Sequence, residues 1–160
     1  MDEEHKGPKR NEAFSRYSEI QHTVKPFQEL PSGNPEGETP PILYTGTGLD
    51  YAREQLSKYG AFRHNKTPIF LSPTFRGAAG PATARTNVEN QYDTPIVMVV
   101  DSRVGGINAK RVSRRDEFKS DQIPRDAILA AYKVDPSIPP SNYQVYSLAE
   151  IEQNFERVKL

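Results

Sequence analysis

The sequence contains no cysteine. A disulfide scaffold, a thiol nucleophile, a zinc ribbon and an iron–sulfur cluster are thereby excluded. It also lacks an excess of either charge, with 21 Lys+Arg against 21 Asp+Glu. A strongly basic footprint is therefore not what would drive nucleic-acid binding. No apolar run approaches the ~18 residues of a membrane span. The first ten residues, MDEEHKGPKR, have no apolar core and do not read as a Sec signal peptide. Large apolar residues are scarce too. Hydrophobic content is 35%, and the 10 glycines do not lift it to the ~45–50% of a typical globular chain. Part of the chain is therefore expected to be tail or open loop.

Proline is abundant, at 14 of 160 residues against an average usage of ~5%. Six of these fall within residues 1–41 (Pro8, Pro26, Pro31, Pro35, Pro40 and Pro41), among scattered charges and few large aliphatics. Such a stretch cannot bury enough apolar surface to offset its ordering entropy. Residues 1–41 read as an extended arm and residues 42–160 as one folded domain, in keeping with ~150 residues per domain.

Within the body, Ile42-Leu43-Tyr44 reads as a short strand ending in the glycine-rich turn Thr45-Gly46-Thr47-Gly48. Leu49, Ala52, Leu56 and Tyr59 recur at helical spacing, and Gly60 stands where a C-cap glycine belongs. Pro68 to Ser72 predicts a second strand, stopped by Pro73. Ala78 to Asn87 has helical composition, with Pro81 placed near the helix start. Pro95 to Val100 is apolar throughout and predicts a strand buried on both faces. Gly105-Gly106 marks a turn, Lys110 to Phe118 a polar strand or loop, and Ala127 to Val134 another apolar strand. Ser147 and Glu150 form a capping-box pattern. Leu148, Ile151, Phe155 and Val158 would lie on one face of the closing helix that follows. The fold class is α+β.

His5, His22 and His64 have no metal-ligand spacing to one another or to acids. No nucleophile elbow, P-loop or dinucleotide fingerprint is present. The cluster Lys110, Arg111, Arg114 and Arg115 reads first as a solvated hairpin edge, and otherwise as a site for phosphates or an acidic partner. The aromatics are dispersed and form no stacking platform for single-stranded nucleic acid.

One ordered set of motifs stands out. A strand carrying Leu43-Tyr44-Thr45-Gly46-Thr47 leads into an amphipathic helix closed by Gly60. A strand Ile69-Phe70-Leu71-Ser72-Pro73-Thr74 then leads into an alanine-rich helix. A buried strand ends Val99-Val100-Asp101. Last come Arg115-Asp116-Glu117-Phe118 and Ile123-Pro124-Arg125-Asp126-Ala127-Ile128. In this order the set resembles the mono-ADP-ribosyltransferase superfamily, over about residues 42–134. The small, cysteine-free chain with its proline-rich leader also resembles plant-pathogen type III effectors of that superfamily, the XopAI/HopO-like group.

The resemblance implies a split pair of small sheets with flanking helices, and NAD as donor for modification of a host protein. It also implies secretion into a host cell. Tyr44, Thr45, Gly46 and Ser72 would contact the cofactor, with Gly46 presenting backbone to the nicotinamide carboxamide. Ser72 would support the ribose and orient Glu117, the key carboxylate. Tyr59 and Phe62 would add an apolar wall. Thr45 stands where the superfamily has an arginine that grips the NAD phosphates. Arg115 stands where its arginine-modifying branch has Glu or Gln. Arg76, Arg85 or an arginine of the arm is a candidate replacement. The departures leave a second reading open, a catalytically degenerate member that binds a protein or peptide partner in the cleft. A third, sharing the Tyr-x-Gly-Thr start, is an RNA 2′-phosphotransferase-like enzyme. The arm itself is long enough to cross the cleft and bring Arg10 or Arg16 near Glu117.

Overall fold

The computed structural model describes residues 39–64, 67–88, 93–105, 107, 109–112, 117–139, 143 and 146–160. The arm, apart from its last three residues, lies outside them, as do Arg10, Arg16, Arg114 and Arg115.

Among the described residues nine strands and three α-helices follow one another, with a 3-10 turn at Arg125–Ala127: β1 (Ile42–Gly48), α1 (Leu49–Tyr59), β2 (Ala61–Arg63), β3 (Ile69–Leu71), α2 (Phe75–Val88), β4 (Pro95–Asp101), β5 (Lys110–Arg111), β6 (Phe118–Ser120), β7 (Gln122–Pro124), β8 (Ile128–Lys133), α3 (Leu148–Asn154) and β9 (Arg157–Val158). They build a four-stranded antiparallel sheet in the order β1-β4-β8-β9, a three-stranded one in the order β3-β6-β5, and the pair β2-β7. The architecture is α+β, built of small antiparallel sheets and few helices.

The large sheet is the dry centre. Every residue of β1 and β4 is buried, and the seven-residue ladder runs from Ile42–Asp101 to Gly48–Pro95. The glycine-rich segment Thr45–Gly48 is therefore strand, not the turn its composition suggests. The reason lies across the sheet. A Cβ on Gly46 would come within 2.2 Å of the Ala78 carbonyl and 2.6 Å of the Ala82 nitrogen, so helix α2 rests directly on the strand's backbone. Glycine here serves close approach. On that face Tyr44, Val97, Val99 and Tyr132 pack with Phe75, Ala78, Ala79 and Ala82. On the other face Leu43, Ile96, Met98 and Val100 pack with α1, with Phe62 of β2, and with the inward residues of β3, β6 and β7.

Helix α1 ends as its sequence predicts. Gly60 takes φ 67° and donates its N–H to the Leu56 carbonyl at 2.9 Å. Its start is unusual, because Gly48 at the N-cap offers no side chain. The buried Asp93 replaces it, accepting the N–H groups of Asp50 at 2.8 Å and Tyr51 at 3.1 Å. A Cβ on Gly48 would occupy the place of that carboxylate.

Helix α2 begins three residues before the expected Ala78, because Thr74 caps it, accepting the Gly77 N–H at 3.0 Å. Pro81 consequently sits inside the helix, where it withholds an N–H from the Gly77 carbonyl. The Ser147–Glu150 capping box forms as read, but α3 stops at Asn154. Phe155 turns extended, at φ −128° and ψ 142°, and the chain closes as β9 against β8. Val158 therefore lies on a strand and packs into the opposite core, away from the helix face its spacing suggests. A buried Tyr132 hydroxyl bonded to Glu152, and Arg157 bonded to the same carboxylate at 3.2 Å, fasten this closure. Burial and the adjacent Glu152 push the Tyr132 phenol far up, so it stays protonated.

Candidate functional site

Among the described residues one isolated backbone bridge links the large sheet to the three-stranded sheet. Tyr44 donates its N–H to the Ser72 carbonyl at 2.7 Å and accepts the Ser72 N–H at 2.7 Å. Backbone groups alternate sides along a strand, so Gly46 directs its N–H and C=O to the same flank of β1 as Tyr44. There the strands part. Phe70, which would face Gly46 if pairing continued, gives its carbonyl instead to the Thr45 hydroxyl at 2.9 Å. Thr45 is 2% exposed. Its side chain is thus a short strut holding β3 beside β1, turned into the protein.

From that junction the β3–β6–β5 register runs outward. Leu71 faces Phe118, and Phe118 faces Arg111. The ladder ends at Leu71–Phe118; continued by one residue it would bring Ser72 opposite Glu117, whose carbonyl accepts the Val112 N–H at 2.8 Å. Tyr44 is bridged to Ser72, and Glu117 directly precedes the Phe118 that pairs with Leu71, so the three residues lie at the same end of the small sheet. Leu71 and Phe118 point into the core. By alternation, Ser72 and half-buried Glu117 belong to the opposite face.

Ser72 is held by the turn into α2. Its Oγ accepts the Thr74 N–H at 3.2 Å and lies 3.4 Å from the Thr74 hydroxyl. A Cβ on Gly77 would fall 2.0 Å from that Oγ, so the glycine gives the hydroxyl its room. Exposed Arg76 is on the same helical turn.

The other expected residues lie apart. Tyr44 is buried, its ring edge-on to Phe75 at 6.1 Å, so only its backbone reaches the junction. Phe62 is fully buried in the core and offers no wall to a ligand. Tyr59 is exposed at the end of α1, with the Arg63 guanidinium over its ring at 4.7 Å. Arg111 lies over the Phe118 ring at 5.0 Å. The side chain of Arg85 is outside the described residues.

Three further residues matter here: Phe70 and Thr74, which stand in the second-strand motif without a role assigned to them, and Lys119, which sequence reasoning missed. Thr74 orders Ser72 and caps α2, and its position after a strand-ending proline was the available signal. Phe70 and Lys119, directly paired and both exposed, share the Ser72–Glu117 face. No motif marks Lys119, and only the register reveals that it sits opposite Phe70.

A scan of protein-family models finds no match for the chain, and a comparison with curated proteins finds none either. No helix among the described residues is long and apolar enough to cross a membrane.

Proposed function

We propose that the junction of the two sheets is an NAD-binding cleft of mono-ADP-ribosyltransferase type, with Glu117 as its key carboxylate and a host protein as acceptor. The observation that carries this reading is the Tyr44–Ser72 bridge beside the Leu71–Phe118 pair, which puts Glu117 one residue beyond the end of the same ladder. The reading is supported by the order of the three motifs along the sequence, which is the order the superfamily resemblance implies. NAD would supply an anomeric carbon bonded to a good leaving group, nicotinamide. The Gly46 N–H and C=O, on the flank where the strands separate, suit the donor and acceptor of a carboxamide. A carboxylate at Glu117 suits positive charge developing at a ribose carbon. Ser72, itself oriented by Thr74, would position it.

The phosphate end fits less well at β1, because the Thr45 hydroxyl is spent on Phe70. Arg76, exposed in the first turn of α2, is a described candidate to take a phosphate. The same strut favours a second reading, a cleft that has given up catalysis and holds a protein or peptide partner. Effector delivery into a host cell is the setting that the resemblance suggests.

Ligand-observed NMR with NAD separates the two readings. The expected result is saturable binding that Glu117→Ala weakens. Binding absent at millimolar NAD would remove the cofactor and with it the transferase reading.

A further inference from the structure

Two residues along the strands from Ser72 and Glu117, the same face carries a row of its own. Phe70 of β3 pairs with Lys119 of β6, and Lys119 pairs with Lys110 of β5. All three are exposed, Phe70 by 50%. At ~3.3 Å per residue this row begins about 7 Å from those residues. Like charges directly opposite on a sheet repel, and a large exposed aromatic beside them gains nothing from water. Both costs fall if an anionic group bridges the lysines while an apolar side chain covers the ring.

We propose that this face docks an acidic polypeptide segment, its carboxylates between Lys110 and Lys119 and an apolar side chain on Phe70. Charge complementarity selects the occupant. Two lysines in a chain of zero net charge are too few for the counterion-release gain that dominates nucleic-acid binding. They are enough for one or two carboxylates. The surface also deepens the proposed function without depending on it, since a segment bound here would lie beside Glu117, where an acceptor must be.

The test uses the full chain and three fluorescein-labelled probes: a nonapeptide alternating glutamate with leucine, the same peptide with lysine for glutamate, and a nine-nucleotide oligouridylate. Anisotropy should show saturable binding of the acidic peptide alone. Amide cross-peaks of Phe70, Lys110 and Lys119 should move. The double substitution Lys110→Glu with Lys119→Glu should weaken binding at least about tenfold, and Phe70→Ala several-fold. The proposal is overturned if the acidic peptide fails to saturate, if the double substitution leaves its affinity unchanged, or if the oligouridylate binds more tightly at the same residues. NAD titration of the same samples keeps the two ideas apart. Peptide binding without NAD binding removes only the transferase reading, and the reverse removes only this surface.

Discussion

The two main sheets use opposite rules. In the four-stranded sheet both faces are covered, β1 and β4 are buried along their full length, and even the backbone of Gly46 is packed by a helix. In the three-stranded sheet only one face is covered. Leu71 and Phe118 point into the core while Phe70, Lys119 and Lys110 meet solvent. The first sheet supplies rigidity, and the second displays chemistry on strands of two and three residues. The backbone bridge between them, Tyr44–Ser72, lets the displayed side chains be positioned by the rigid part.

The comparison breaks most sharply at Gly46. Gly46→Val would drive methyls into the backbone of α2, and urea denaturation should show a loss of about 3 kcal/mol or more. Phe70→Ala, on the exposed face, should change stability by under about 0.5 kcal/mol. Similar losses from both would mean that the second sheet is as closely packed as the first.

Thr45→Arg comes next. It would place an arginine, the residue the resemblance implies there, at a site that is buried and turned into the protein. A loss of about 2 kcal/mol in stability is expected, with no gain in NAD affinity. Tighter NAD binding would show that the side chain can leave the core and reach the cleft.

The smallest effect lies at the capping box. Hydrogen bonds from the Ser147 backbone and side chain lower the Glu150 pKa below its ordinary 4.5. The folded form is thus favoured above that value, and the contribution fades as pH falls through the lowered pKa. Chemical denaturation between about pH 5 and 2 should therefore show a slightly shallower acid limb for Glu150→Gln. An unchanged limb would mean the box adds nothing to α3.

Much of this organisation was legible in the sequence, for identifiable reasons. The strand Pro95–Asp101, the helix Leu49–Tyr59 with its Gly60 cap, and the capping box all rest on local pattern. Thr45–Gly48 misled because glycine signals a turn locally, whereas here it answers a helix more than 30 residues away. Phe155 and Val158 kept helical spacing after the helix had ended, and pairing with β8 decided the matter. The strands β6 and β7 are too short and polar to carry a periodic signal. For the candidate site, motif order singled out Ser72 and Glu117, while the placing of Phe70 opposite Lys119 follows only from register.

The carboxylate of Asp93 links events in time as well as in space. Helix α1 has no cap of its own, and its first amides find their acceptor 43 residues downstream, just ahead of β4. The start of the helix is therefore capped by a residue that the long-range β1–β4 pairing holds in place. Local helix formation and long-range strand pairing become a single cooperative event, and the folding nucleus of this domain should contain both.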